Sequence, residues 1–272
     1  MRTVLHLSDV HFGRVDYPTV KPLIAAAHEI APDVVVLSGD LTQRATSEQF
    51  IEAKEFLNAL PLPQIVVPGN HDIPLYNPIG RFLNPLDKFE RFITSETAPF
   101  FVDDEIGIIG VNSARSLTSK YGRINMKQVE EIRNRFLLAP PELFRIVVTH
   151  HPFDLPDGYA HPKQLIGRSK LAMQELATAG IDTFLSGHLH QGYFGNTAER
   201  YKIENYAALI VQAGTATSTR GRGEPNSFNV LIFDRPFIIV KRYSWNSLSL
   251  KFELSLEECF QHGETGWVKR CE

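Results

Sequence analysis

Five short stretches hold the residues able to bind a metal or handle a proton. They are Asp9-Val10-His11, Gly39-Asp40, Gly69-Asn70-His71-Asp72, His150-His151-Pro152 and Gly187-His188-Leu189-His190. Together they offer carboxylate oxygen, amide oxygen and imidazole nitrogen, and no sulfur. Such donors suit Mn, Fe, Zn or Co better than Cu(I) or an iron–sulfur cluster. They are too many for one tetrahedral ion. They imply two ions sharing a bridge, with positions left for water and substrate. Singly the stretches say little: Asp-x-His arises by chance and Gly-Asp is an ordinary turn. His-x-His carries more, because in extended backbone its two side chains share a face. The signal is their succession, each behind an apolar run.

Those apolar runs are the elements that must position the donors. Val4–Leu7, Val34–Leu37, Ile65–Val67, Ile106–Val111, Ile146–Thr149 and Thr183–Leu185 read as buried strands. Amphipathic helices alternate with them. One carries Val20, Leu23, Ile24, Ala27 and Ala31 on a single face. Another carries Phe50, Ala53, Leu57 and Leu60 behind a capping box from Thr46 to Gln49. A third, opened by Asn125, carries Val129, Ile132 and Phe136. A fourth begins near Ser169 and stops at Gly180. The alternation implies an α/β architecture, in which ligands collect outside the carboxyl ends of strands. The last third differs. Ala208–Gln212, Phe228–Phe233, Phe237–Tyr243 and Leu248–Leu254 read as strands joined by turns. The expected organisation is a main domain over residues 1–235 with a β-rich extension, 236–272, packed on it.

Asp-x-His, Gly-Asp, Gly-Asn-His-Asp, His and Gly-His-x-His, in this order, resemble the calcineurin-like metallophosphoesterase family. The series runs from residue 9 to residue 190 with no element missing. The resemblance implies an αββα sandwich of two mixed sheets flanked by helices. It implies that Asp9, His11 and His190 hold one metal, that Asn70, His150 and His188 hold the other, and that Asp40 bridges them. It also selects His150 over His151. Two divalent ions ~3.5–4 Å apart clamp a phosphoryl group and make hydroxide available near neutral pH, so a bridging hydroxide is the expected nucleophile. Set against Asp9, Asp40 and that hydroxide, two divalent ions leave a small positive charge, which suits a phosphodiester monoanion. His71 belongs to neither metal and is expected to act catalytically, stabilising the transition state or protonating the leaving oxygen. Asp72 is expected to orient its ring.

Three further segments surround these motifs. Pro74 to Thr94 carries Phe82, Leu86, Phe89, Phe92 and Ile93 in an amphipathic pattern, either a helix packed on the core or a lid. Phe153 to Arg168 is a rim loop holding His161. Gly214 to Gly223 sets small hydroxyl residues beside Arg220 and Arg222, a combination able to hold phosphate. Arg115, after the Asn112-Ser113 strand end, is a fourth phosphate-pairing candidate. The stretch from Gly214 lacks the Walker lysine pattern and is no nucleotide-binding P-loop.

The 272-residue chain is 43% apolar and 22% charged, enough to bury a core. A net charge of −3 argues against a nucleic-acid partner. No apolar run approaches the ~20 residues of a membrane span, and the first residues do not form a signal-peptide core, so a cytoplasmic protein is expected. Cys259 and Cys271 are expected to be free thiols. The β-rich C-terminus offers a surface for a homodimer without demanding one. The expected activity is hydrolysis of a small phosphodiester, similar to class III cyclic nucleotide phosphodiesterases and glycerophosphodiesterases. A UDP-sugar-lipid pyrophosphatase is the enzymatic alternative. A non-catalytic scaffold of the same fold is the alternative from another class, and the complete set of donors weighs against it.

Overall fold

The computed structural model describes residues 1–75, 77–156, 158–159, 161–221 and 223–270. Arg222 and Cys271 therefore lie outside the described residues. The chain begins with β1 (Arg2–Leu7), α1 (Tyr17–Ile30), β2 (Val34–Leu37), α2 (Ser47–Asn58) and β3 (Gln64–Val66). Next come α3 (Pro78–Leu83), α4 (Asp87–Phe92), β4 (Phe100–Val102), β5 (Ile106–Val111), α5 (Met126–Leu137) and β6 (Phe144–Thr149). Then follow α6 (Ser169–Thr178), β7 (Thr183–Ser186), β8 (Tyr193–Asn196), α7 (Ala198–Tyr201) and β9 (Leu209–Gln212). Four strands close the chain: β10 (Ser227–Asp234), β11 (Phe237–Asn246), β12 (Lys251–Gly263) and β13 (Gly266–Lys269).

These strands form two sheets, ordered β13-β12-β11-β10-β1-β2-β3 and β4-β5-β6-β7-β9-β8. Within the first, β1, β2 and β3 run parallel; within the second, β5, β6, β7 and β9 do. Parallel strands buried on both faces need apolar side chains on both sides, and the sequence supplies them. Val34 and Val36 face the second sheet, while Val35 and Leu37 face α1 and α2. Ile109, Val111, Val147 and Phe184 pack under α5 and α6. The result is a four-layer αββα sandwich.

Helix starts follow local chemistry. Asn125 and Gln128 form a reciprocal capping box at α5. At α2, Thr46 accepts the Gln49 N–H as expected, but the Gln49 side chain reaches past it to the backbone N–H of Arg44. The stretch from Pro74 to Thr94 makes two short helices, because Pro85 cannot continue α3. Only the second joins the core. Phe89 is buried and Phe92 stacks on Phe50, whereas Phe82 is 58% exposed. Leu248–Leu250, read as strand, belongs to the turn before β12.

Residues 237–269 extend the first sheet and return Trp267 into the space between the sheets. There its ring is 1% exposed and its Nε1–H donates to Asp182 at 3.0 Å. Trp267→Ala should therefore lower unfolding free energy by about 3–5 kcal/mol in urea titration. A loss below ~1 kcal/mol would show that β13 is not part of the cooperative core.

Candidate metal centre

The five motif stretches meet at one place because parallel strands end together. Asp9, Asp40 and Asn70 follow β1, β2 and β3 in the first sheet, and His150 and His188 follow β6 and β7 in the second. The donors thus come from the adjoining carboxyl ends of two sheets. Backbone bonds lace these ends together: Asp9 N–H to Gly39, His11 N–H to Asp40, Gly187 N–H to His150. A side chain on Gly69 would overlap Asp40, and one on Gly187 would overlap Ser8 and Asp9.

Asp9, His11, Asp40, His188 and His190 all hold left-handed backbone, with φ between 49° and 75°. Non-glycine residues adopt this region at a cost and cluster there at functional sites. For His188 and His190 it also replaces the extended backbone expected of His-x-His. The two rings accordingly separate, His190 toward Asp9 and His188 toward His150.

All seven side chains are at most 8% exposed. His11 Nε2 lies 3.4 Å from Asp9 Oδ1 and 3.7 Å from Asp40 Oδ2. His190 Nε2 lies 3.4 Å from Asp9 Oδ1. Across the centre, His150 Nε2 lies 3.3 Å from Asp40 Oδ2 and 3.2 Å from Asn70 Oδ1. Two groups of mutually close donors result: Asp9, His11, Asp40 and His190, and then His150, His151 and His188.

Each imidazole is oriented by its other nitrogen. His150 Nδ1 donates to the Ser38 carbonyl at 2.8 Å and His11 Nδ1 to that of Thr42 at 3.3 Å. His190 Nδ1 lies 3.3 Å from the Thr215 hydroxyl. These contacts leave Nε2 facing the carboxylates, the arrangement by which outer partners aim metal ligands. His188 is reversed: its Nε2 donates to Gln164 Oε1 at 2.6 Å. His151 meets the Ser113 hydroxyl through Nδ1 and the Lys120 carbonyl through Nε2, so both of its nitrogens have protein partners.

The donor set fits divalent cations on two grounds. Asp9 Oδ1 and His11 Nε2 are fully buried with no hydrogen-bond partner among the described residues, a cost that a cation between them removes. The protonation states also suit. Burial pushes Asp9 and Asp40 up, but the imidazoles facing them outweigh it and hold both carboxyls below the usual range. Burial drives His188 down to about 3 and His190 to about 4, keeping them neutral. His150 differs: burial opposes its charge, yet Asp40 beside it pushes it up to about 9.

The expected catalytic and substrate residues fare unequally. His71 stands at the edge of the centre, its ring 5.0 Å from that of His11. Its N–H donates to Asp40 Oδ1 and its Nδ1–H to the Gln43 carbonyl at 2.9 Å, and Arg220 Nη1 donates to its Nε2 at 2.8 Å. Asp72 does not orient that ring. Its carboxylate accepts from the backbone N–H groups of Leu41, Thr42 and Gly69 instead, tying the β2 turn to the β3 turn, and burial pushes it up to about 6. Arg115 faces inward, giving its terminal nitrogens to the Asn112 and Ala114 carbonyls and to Gln128. His161 is exposed, beside Tyr159, and heads the short turn that carries Gln164. The hydroxyls of Thr217 and Ser218 bond Val10 and Arg14 backbone, so this stretch braces the Asp9–His11 turn. Ser38, Thr42 and Gln164 escaped the sequence pattern, and Thr215, read within the Gly214–Gly223 stretch as a phosphate-holding hydroxyl, instead meets His190. Backbone carbonyls act whatever the side chain, and a lone Gln or Thr has no spacing signature.

The sequence signature described as Calcineurin-like phosphoesterase matches residues 2–192. A curated relative, "Probable glycerophosphodiester phosphodiesterase GpdQ" of Arcobacter nitrofigilis, is 27% identical over 59% of this chain and 57% of its own length. The 3',5'-cyclic adenosine monophosphate phosphodiesterase CpdA of Haemophilus influenzae is 27% identical over 58% of this chain and 55% of its own. The chain thus spans little more than half the length of these two relatives. Among solved structures, purple acid phosphatase PPD1 from yellow lupin shares the fold at TM-score 0.70 and 14% identity, covering 95% of this chain and 53% of that one. A dimetal phosphatase from Danio rerio does so at 0.66 and 13%, covering 93% and 98%. The chain belongs to the calcineurin-like phosphoesterase family.

Proposed function

We propose that the protein is a metal-dependent phosphodiester hydrolase acting on a small substrate, a cyclic nucleotide or comparable diester. The observation that carries this is the pair of buried carboxylates, Asp9 and Asp40, faced by imidazoles, with Asp9 Oδ1 and His11 Nε2 lacking a hydrogen-bond partner among the described residues. Asp9, His11 and His190 would hold one cation, Asn70, His150 and His188 a second, and Asp40 both. When bound, two such cations polarise phosphoryl oxygens and lower the pKa of water.

The chain's own groups supply the rest. Ser38 and Thr42 carbonyls fix the tautomers of His150 and His11. The His188 and His71 N–H groups hold Asp9 Oδ2 and Asp40 Oδ1, aiming both carboxylates. The Gln43 carbonyl keeps the His71 proton on Nδ1, so Nε2 is the atom turned toward Arg220. An arginine and an imidazole converging there suit recognition of a phosphoryl oxygen and handling of the leaving-group proton. The names of both curated relatives, each a phosphodiesterase, support a diester. Exposed Leu75, Ile79, Phe82 and Leu83, just after the Asn70–Asp72 turn, favour the lipid-linked pyrophosphate as second reading. No helix among the described residues is long and apolar enough to cross a membrane.

Mn-loaded protein should cleave an aryl phosphodiester and a cyclic nucleotide faster than an aryl monoester; preference for the monoester overturns the diesterase assignment. A UDP-lipid cleaved while the cyclic nucleotide stays intact would select the second reading. His71→Ala should retain metal while turnover falls about 10²–10⁴-fold, and Asp40→Ala should lose both. Full turnover of Asp40→Ala without bound metal contradicts the scheme. Cation uptake should also release a proton near neutral pH. His150, held at about 9, is charged at pH 7 but must be neutral to coordinate. Affinity should accordingly rise with pH up to about 9 and then level. Calorimetry in two buffers of different ionisation heat measures this; uptake at pH 7 with no proton released would show that His150 is already neutral before the cation arrives.

A further inference from the structure

Arg81 lies on α3 and is only 7% exposed. Burial disfavours its charge, and no acidic group among the described residues offsets that cost. The guanidinium is satisfied by backbone instead. Nε donates to the Ser116 carbonyl at 2.7 Å, Nη2 to that of Thr118 at 2.6 Å and Nη1 to that of Pro74 at 3.1 Å. One side chain therefore joins the segment after the Asn70–Asp72 turn to the 116–118 segment, which leads from β5 to α5.

The carbonyls that follow are occupied by the centre itself. Ser119 accepts from Asn70 Nδ2 at 3.0 Å, and Lys120 lies 3.2 Å from His151 Nε2. Three successive carbonyls, of Thr118, Ser119 and Lys120, thus meet Arg81, Asn70 and His151. The Asn70 contact decides which end of its amide faces inward. The two ends are nearly isosteric but opposite in polarity. With Nδ2 held by Ser119, Oδ1 is the end beside His150, at 3.2 Å. A rotated amide would point N–H groups at a bound cation.

We propose that Arg81 is a positioning residue for the second cation: it fixes the 116–119 backbone so that the Ser119 carbonyl holds the Asn70 amide with its oxygen inward. This rests on the two-cation assignment above. The fork geometry of arginine matters, because three carbonyls are met from three directions, which a lysine ammonium on a flexible stem does not reproduce.

Mn²⁺ titration calorimetry on the full chain tests this, with thermal unfolding beside it. Wild type should bind two ions. Arg81→Met should retain one site and weaken the other about 10–100-fold, and Arg81→Lys should recover little of that loss. The decisive background is Asn70→Asp, whose two oxygens are equivalent and need no orienting. There, removing Arg81 should leave both affinities unchanged to within about twofold. Equal losses in the wild-type and Asn70→Asp backgrounds would reduce Arg81 to general support of the fold and overturn the proposal. So would two undiminished sites in Arg81→Met. If Arg81→Met does not fold, Arg81→Lys in both backgrounds makes the same comparison. A wild type binding fewer than two ions refutes the two-cation assignment itself, an outcome that variant comparisons cannot mimic.

Discussion

Two carboxylates, those of Asp9 and Asp40, are carried into the interior where two sheets end, and the rest of the site answers to them. Desolvating an anion is costly unless positive charge and hydrogen-bond donors meet it. Each carboxylate receives a backbone N–H on one oxygen, and Asp9 also receives the Ser8 hydroxyl. The other oxygens face imidazole nitrogens. Within the protein alone, His150 takes up the positive role beside Asp40, which is why its pKa rises despite burial. A divalent cation there would supply more charge than one imidazolium can and would leave all the imidazoles neutral.

That demand explains the backbone. Strand ends converge, but in extended backbone Asp9 and His11, two positions apart on one face, would stand about 6–7 Å apart along the strand instead of folding into one compact cluster. Left-handed φ values at Asp9, His11, Asp40, His188 and His190 bend the chain immediately after β1, β2 and β7. The cost of that strain is held in place by both sheets. β1 is flanked by β2 and β10, and the buried 215–218 stretch clamps the Asp9–His11 turn through the Ala216 N–H and the Thr217 hydroxyl. Asp72 plays a similar part between the β2 and β3 turns. Asp72 and Arg115, read from the sequence as a ring-orienting and a phosphate-pairing residue, instead hold backbone groups. The interior holds many backbone N–H and C=O groups that must be paired, and nearby polar side chains are drawn to them first.

Around this rigid interior the rim is held more sparingly. Arg81 secures the 74–83 and 116–119 segments through carbonyls alone, and Gln164 reaches His188 from the loop after β6. Arg220 meets His71 from the far side. These contacts come from three separate segments: α3, the loop after β6 and the stretch before β10. Exposed Leu75 precedes α3, and exposed Ile79 and Phe82 lie on it, outside the donor cluster itself.

Much of this was legible in the chain alone, and the reason is locality. Val34–Leu37 and Ile106–Val111 announce strands because they are short, apolar and β-branched, and Asn125 announces α5 because a cap acts on residues three positions away. The order of the donor motifs follows from strands that end on the same side. What the sequence left open depends on partners distant in the chain. The choice of tautomer at His150 needs Ser38, 112 residues away, and that at His188 needs Gln164. Neither the two-sheet origin of the donors nor the left-handed turn that divides His188 from His190 is written in periodicity. The duty of Arg81 depends on carbonyls 35 and 37 positions on, which every residue type possesses. Residue types determined what the centre could bind; only the packing of the two sheets decided which atoms face it.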